Sequence, residues 1–152
     1  MPAILAAGLT AGALDITSVF LLYAPRGIFP VRICQSVASG LLGPRSFTGG
    51  LTTAALGLFL HFVIALGAAT VFYLASRRLP FLVQKAIISG VLYGLAIYLF
   101  MNFIVLPLSA TRPQHFTVFS VVTQLLIHML LIGPAIALIV RRFSARSLPI
   151  PA

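Results

Sequence analysis

Four apolar stretches, at about residues 3–24, 50–76, 82–106 and 116–140, occupy most of the chain, and each reaches the ~20 residues with which a helix crosses a bilayer core. Backbone N–H and C=O groups find no water there, so each stretch must satisfy them internally as a helix. The sequence therefore predicts an all-α integral membrane protein: a four-transmembrane-helix bundle forming one domain over residues 1–146. The end of the chain, "SLPIPA" at 147–152, has no periodicity and is expected to be disordered. With 61% hydrophobic and 7% charged residues, too little polar surface remains for a water-soluble fold. No basic segment precedes the first stretch, and its apolar run is longer than a signal peptide's, so it is expected to stay as a span.

The net charge of +9 sits at span ends, where bases meet anionic lipid headgroups, and this reading leaves no role for nucleic acid. Arg77, Arg78 and Lys85 link spans two and three, and Arg141, Arg142 and Arg146 follow span four. On the other side stand Arg26, Arg32, Arg45 and Arg112. Six against four puts both termini in the cytoplasm by the positive-inside rule.

The first outer loop, "APRGIFPVRICQSVASGLLGPRSFTGG", carries Val31, Cys34, Val37, Ala38, Leu41 and Leu42 at roughly helical spacing, with Arg32, Gln35, Ser36 and Ser39 between. Pro30 suits a first turn and Gly43-Pro44 an end, which predicts a short interfacial helix over about 30–42. It lies on the surface or folds inward as a lid; the pattern allows both. Cys34 is the single cysteine and cannot form an intrachain disulfide. Gly8 and Gly12, then Gly90 and Gly94, are spaced for close helix approach, which predicts contact between spans one and three. Gly133-Pro134 is expected to loosen span four, and Pro107 to close span three. The echo of "GLTAGAL" at 8–14 in "GLTTAAL" at 50–56 has no matching second half and is read as small-residue packing, not a repeat.

Asp15 is the chain's only acidic residue, and it falls inside span one. Counted from the outer span ends, Asp15 lies about 14 Å deep, His61 roughly 16 Å and His128 roughly 18 Å. Gln124 is one turn outward of His128, and Asn102 about 8 Å below the outer end of span three. A carboxylate facing lipid costs at least ~2.5–3.5 kcal/mol, so Asp15 is expected to face the bundle interior and pair with His61 or His128. Asn102 and Gln124 are read first as packing contacts between helices, worth ~0.6 kcal/mol each.

Three functions follow. One is proton or small-solute handling at a polar centre of Asp15, His61, His128, Asn102 and Gln124, with no cofactor. Because four spans make a narrow bundle, a conducting path would need a homo-oligomer. An alternative is a haem-b electron carrier with His61 and His128 as axial ligands, and Gly57 and Gly133 leaving room for the macrocycle. The third is a structural or assembly protein without chemistry of its own. Enzymatic activity is not indicated: Ser18 is near Asp15, but there is no Gly-x-Ser-x-Gly elbow, no His-Glu zinc motif and no Glu at all. A metal site is not assigned either.

The segments "GLTAG" opening span one, "LHFVIALGAATVFYLASRRLP", "MNFIVLPLSA" and "IHMLLIGPAIALIVRR" together resemble the YagU-like family of small bacterial inner-membrane proteins. The resemblance implies a bacterial inner-membrane location and a link to acid tolerance. It carries over His61, His128 and Pro107, while Asp15 and the shorter, basic outer loop depart from the family pattern.

Overall fold

The computed structural model describes residues 1–111 and 117–145. Arg112, residue 116 at the start of the fourth apolar stretch, Arg146 and the tail at 147–152 lie outside them. Every regular element described is helical. Helix α1 (Pro2–Tyr23) runs on through a 3-10 turn (Ala24–Arg26), then comes the loop helix α2 (Pro30–Leu42), a 3-10 turn (Gly43–Thr48) and the long α3 (Gly50–Arg78). After the short α4 (Phe81–Gln84), α5 (Ala86–Phe100) continues through a π-turn (Met101–Val105) into α6 (Leu106–Leu108). Last, α7 (Val118–Ile127) continues through a second π-turn (His128–Ile132) into α8 (Gly133–Ala145).

Four continuous helices are long and apolar enough to cross a membrane: Pro2–Arg26, Gly50–Arg78, Ala86–Leu108 and Val118–Ser144. They correspond to the expected spans, with boundaries moved by up to four residues. The third begins at 86 rather than 82, because Lys85 (φ −106°, ψ 47°) breaks the helix. That break leaves its exposed ammonium at the end of the span instead of within it. Many large side chains on the spans are exposed, among them Leu21, Phe59, Val71, Leu92 and Phe103, as lipid-facing surface requires.

Glycines set the packing, though not between the expected partners. A Cβ on Gly8 would lie 2.7 Å from a Leu66 methyl, and one on Gly12 2.8 Å from the Phe62 ring, so this pair seats span one against span two. A Cβ on Gly90 would lie 2.6 Å from Pro134 Cα, and one on Gly94 would strike the His128 carbonyl, so that pair seats span three against span four. The four-residue spacing marks a close-contact face but carries no information on which helix fills it.

The prolines within spans three and four are each preceded by a π-turn. Pro107 and Pro134 have no N–H to donate, and the turns at 101–105 and 128–132 absorb the mismatch: Gly133 N–H donates to His128 O and Leu106 N–H to Met101 O, one residue further back than in an α-helix. Span four is loosened as expected. Span three is also loosened rather than simply closed, and Asn102 and His128 lie within these two turns.

Helix α2 folds onto the bundle. A Cβ on Gly57, about 10 Å along α3 from its start, would collide with the Cys34 carbonyl, so α2 leans against the side of span two. Its buried face is Ile33, Cys34, Gln35, Ala38 and Ser39, while Val31, Leu41 and Leu42 are exposed. Gln35 and Ser39, which fall between the apolar positions of the sequence pattern, thus lie on the buried face. Gln35 Nε2 donates to Gly50 O (3.0 Å), and the Ser39 hydroxyl meets that of Thr111 (2.8 Å), so both are satisfied where they are buried. Ala110 N–H donates to Gly40 O (2.9 Å), clipping the chain beyond span three to α2. Gly27 (φ 72°) and Gly43 (φ 62°) make the reversals at its two ends in the left-handed region.

Candidate functional site

Between the spans, at the end where α2 lies, is a cavity of about 630 Å³. Asp15, His61, Asn102, Gln124 and His128 all line it, so all five residues singled out from the sequence meet in one space. Measured from the observed span ends, Asp15, His61 and His128 lie about 15–17 Å deep. This agreement in depth is what the sequence count relied on.

The expected Asp15–histidine pair does not form. His61 Nε2 donates instead to the Gly12 carbonyl (2.9 Å), one turn before Asp15 on the same face of α1. His128 Nδ1 donates to the Gln124 carbonyl of its own helix (2.8 Å), and its ring meets the edge of Tyr98 at 5.9 Å between centroids. Each ring found a backbone carbonyl closer to hand, the second being the i−4 group of its own turn. Asp15 Oδ1 is buried and bonded to no other described group.

Neither amide glues helices together. Asn102 Nδ2 donates to Tyr98 O of its own helix (2.8 Å), and the Gln124 side chain makes no hydrogen bond among the described residues. The side-chain bonds that do cross between spans come from His61 and from Tyr93, whose hydroxyl donates to Ala68 O (2.6 Å). Ser18, the nearest hydroxyl to Asp15 in sequence, donates to Leu14 O (2.7 Å) of its own helix.

Sequence reasoning missed Arg26, Tyr98 and Ser36 as cavity-lining residues. The Arg26 guanidinium sits over the Phe119 ring at 4.3 Å and the Tyr23 ring at 5.4 Å, joining the ends of spans one and four. Tyr98 was legible in principle, one turn from Asn102; Ser36 was not, since only the fold of α2 brings it inward. Cys34 lies on the buried face of α2, and desolvation pushes its thiol pKa above the ordinary value, with a backbone hydrogen bond acting the other way.

The residues can be tested against a haem. His128 has the form of an axial ligand, with Nδ1 on a carbonyl and Nε2 bare. His61 does not, because its Nε2 is the bonded nitrogen. Nor do the glycines leave room: the Cys34 backbone fills the space at Gly57, and Gly90 and Gly94 fill that at Gly133. Among the described residues no three His, Cys, Asp or Glu side chains are grouped to hold a metal ion.

No family model, curated protein or solved structure matches the chain. The likeness to the YagU-like family therefore rests on the quoted motifs alone.

Proposed function

We propose that this is a multi-pass protein of the bacterial inner membrane, both termini cytoplasmic, that handles a proton or a small solute at the centre formed by Asp15, His61 and His128. The observation that carries the reading is Asp15: its carboxylate lines a ligand-sized cavity, and its buried Oδ1 has no hydrogen-bond partner among the described residues. An unpaired buried acceptor costs about 1–3 kcal/mol, and a purely structural role gives no return for that cost. The shared cavity also weighs against the structural reading, for which scattered polar positions would suffice. Since four spans form a narrow bundle, a complete path across the membrane is expected to involve a second copy.

The test is reconstitution in liposomes with an internal pH dye under an imposed potential. Wild-type vesicles should change internal pH faster than empty ones, and Asp15→Asn and His61→Ala should remove the difference. Equal rates in all vesicles, together with no measurable solute binding, would sink the proposal.

A further inference from the structure

Around the middle of the cavity Asp15, His61 and His128 each keep an acceptor, while Gln124 keeps both its amide donors and its carbonyl oxygen. Asp15, when ionised, only accepts, and Oδ1 is unbonded. A neutral imidazole carries one N–H; His61 gives its own to Gly12 O and His128 its own to Gln124 O, so each ring has a lone pair left over. Asn102 gives one amide N–H to Tyr98 O and retains its carbonyl oxygen and its second N–H. Among the described residues no basic side chain pairs with Asp15, and Arg26, the basic residue on the cavity wall, is held against the Phe119 and Tyr23 rings.

The neutral amides can offer a ligand either a donor or an acceptor, but the carboxylate, which has no basic partner among the described residues, calls for a positively charged donor. Around that band the wall is apolar, with Ile16, Val19, Ile64, Met101 and Val121. It extends about 22 Å along α1 from Ala11 to Arg26, far more than a proton needs. We infer that the cavity binds a small organic cation, a protonated amine or guanidinium on a short apolar body, with its N–H groups on Asp15 and the histidine lone pairs. The inference rests on the proposed reading of the site and names its ligand class. A metal ion fits less well, because the imidazoles and carboxylate are not grouped as ligands.

The experiment is equilibrium binding to the full chain in nanodiscs near neutral pH, with n-butylamine, n-butylguanidine, n-butanol and butyrate as probes of matched body and different charge. The two cations should bind, and the alcohol and the carboxylate should bind at least about tenfold more weakly, the value of one hydrogen bond to a charged group. Asp15→Asn should weaken the cations by about tenfold or more, and Asp15→Glu should retain most of the binding. Butanol or butyrate binding as tightly as butylamine would overturn the inference, as would unchanged cation binding in a folded Asp15→Asn protein. If Asp15→Asn does not fold, the butylamine-against-butanol contrast on the wild-type chain decides alone. Should no probe bind while Asp15-dependent proton flux persists, the ligand class falls and the proton reading stands; loss of both removes both.

Discussion

The two halves of the bundle solve the same packing problem in opposite ways. At the end carrying Arg77, Arg78, Arg141 and Arg142, small residues (Ala7, Ala69, Ala137) and large ones (Phe72, Ile136, Val140) interlock with almost no exposure. At the end carrying α2, the spans part around the cavity, and the polar side chains concentrate there. Between the two, the Tyr93 hydroxyl reaches the Ala68 carbonyl, and its ring packs against Phe72 at 5.0 Å. Tight contact requires backbones that approach closely, which residues with small side chains allow; the cavity forms where both long helices are unwound before a proline. One end is filled by interlocking side chains, and the other holds a polar cavity.

The largest expected effect breaks the seam between spans three and four. Gly94→Val should destabilise by about 3 kcal/mol in thermal unfolding in detergent, because the added atoms meet the His128 carbonyl with nowhere to move. Gly67→Val is the control, since nothing lies within 4 Å of a Cβ there. Equal losses in the two would mean that helix propensity, not the seam, is being measured.

Asp15→Leu sharpens the contrast from the other half. Removing a buried unpaired acceptor should raise the stability of the ligand-free protein by about 1–3 kcal/mol while abolishing binding. A loss of stability instead would show that Asp15 is a packing residue. Next in size are the two histidines. His61→Ala should cost about 1 kcal/mol, because it breaks a bond between spans, and His128→Ala clearly less, because its bond stays within one helix. Comparable costs would contradict the roles assigned here.

The smallest effect concerns α2. The raised pKa of Cys34 favours the neutral thiol in the fold, so its contribution is fully present below the unfolded pKa and is lost as pH rises through the folded one. Stability should therefore fall slightly as the solution becomes alkaline, and a Cys34→Ser protein should lose that slope. Maleimide labelling of Cys34 should be slow until the protein is denatured; fast labelling would mean that α2 leaves α3 readily.

Four spans, the loop helix near 30–42 and the residues of the polar centre were legible in the sequence. Apolar length is a one-dimensional property, and residue depth follows from counting at a fixed rise per residue. That is why Asp15, His61 and His128 could be set at one level from three separate stretches. Pairing is different, since it depends on helix rotation and on competing backbone carbonyls that hydropathy does not encode. The Asp15–histidine bond was therefore expected and is replaced by His61 on Gly12 and His128 on Gln124.

By itself the sequence determined the helical class, the number of spans and a costly carboxylate among apolar neighbours, because solvent and backbone chemistry permit little else. Only the tertiary structure decided which glycine face meets which span, that α2 folds onto the bundle with Gln35 and Ser39 inward, and that Asp15 Oδ1 has no partner among the described residues. Those outcomes follow from shape complementarity at the contacts, a Cβ that does or does not fit, and such contacts exist only once the helices have come together.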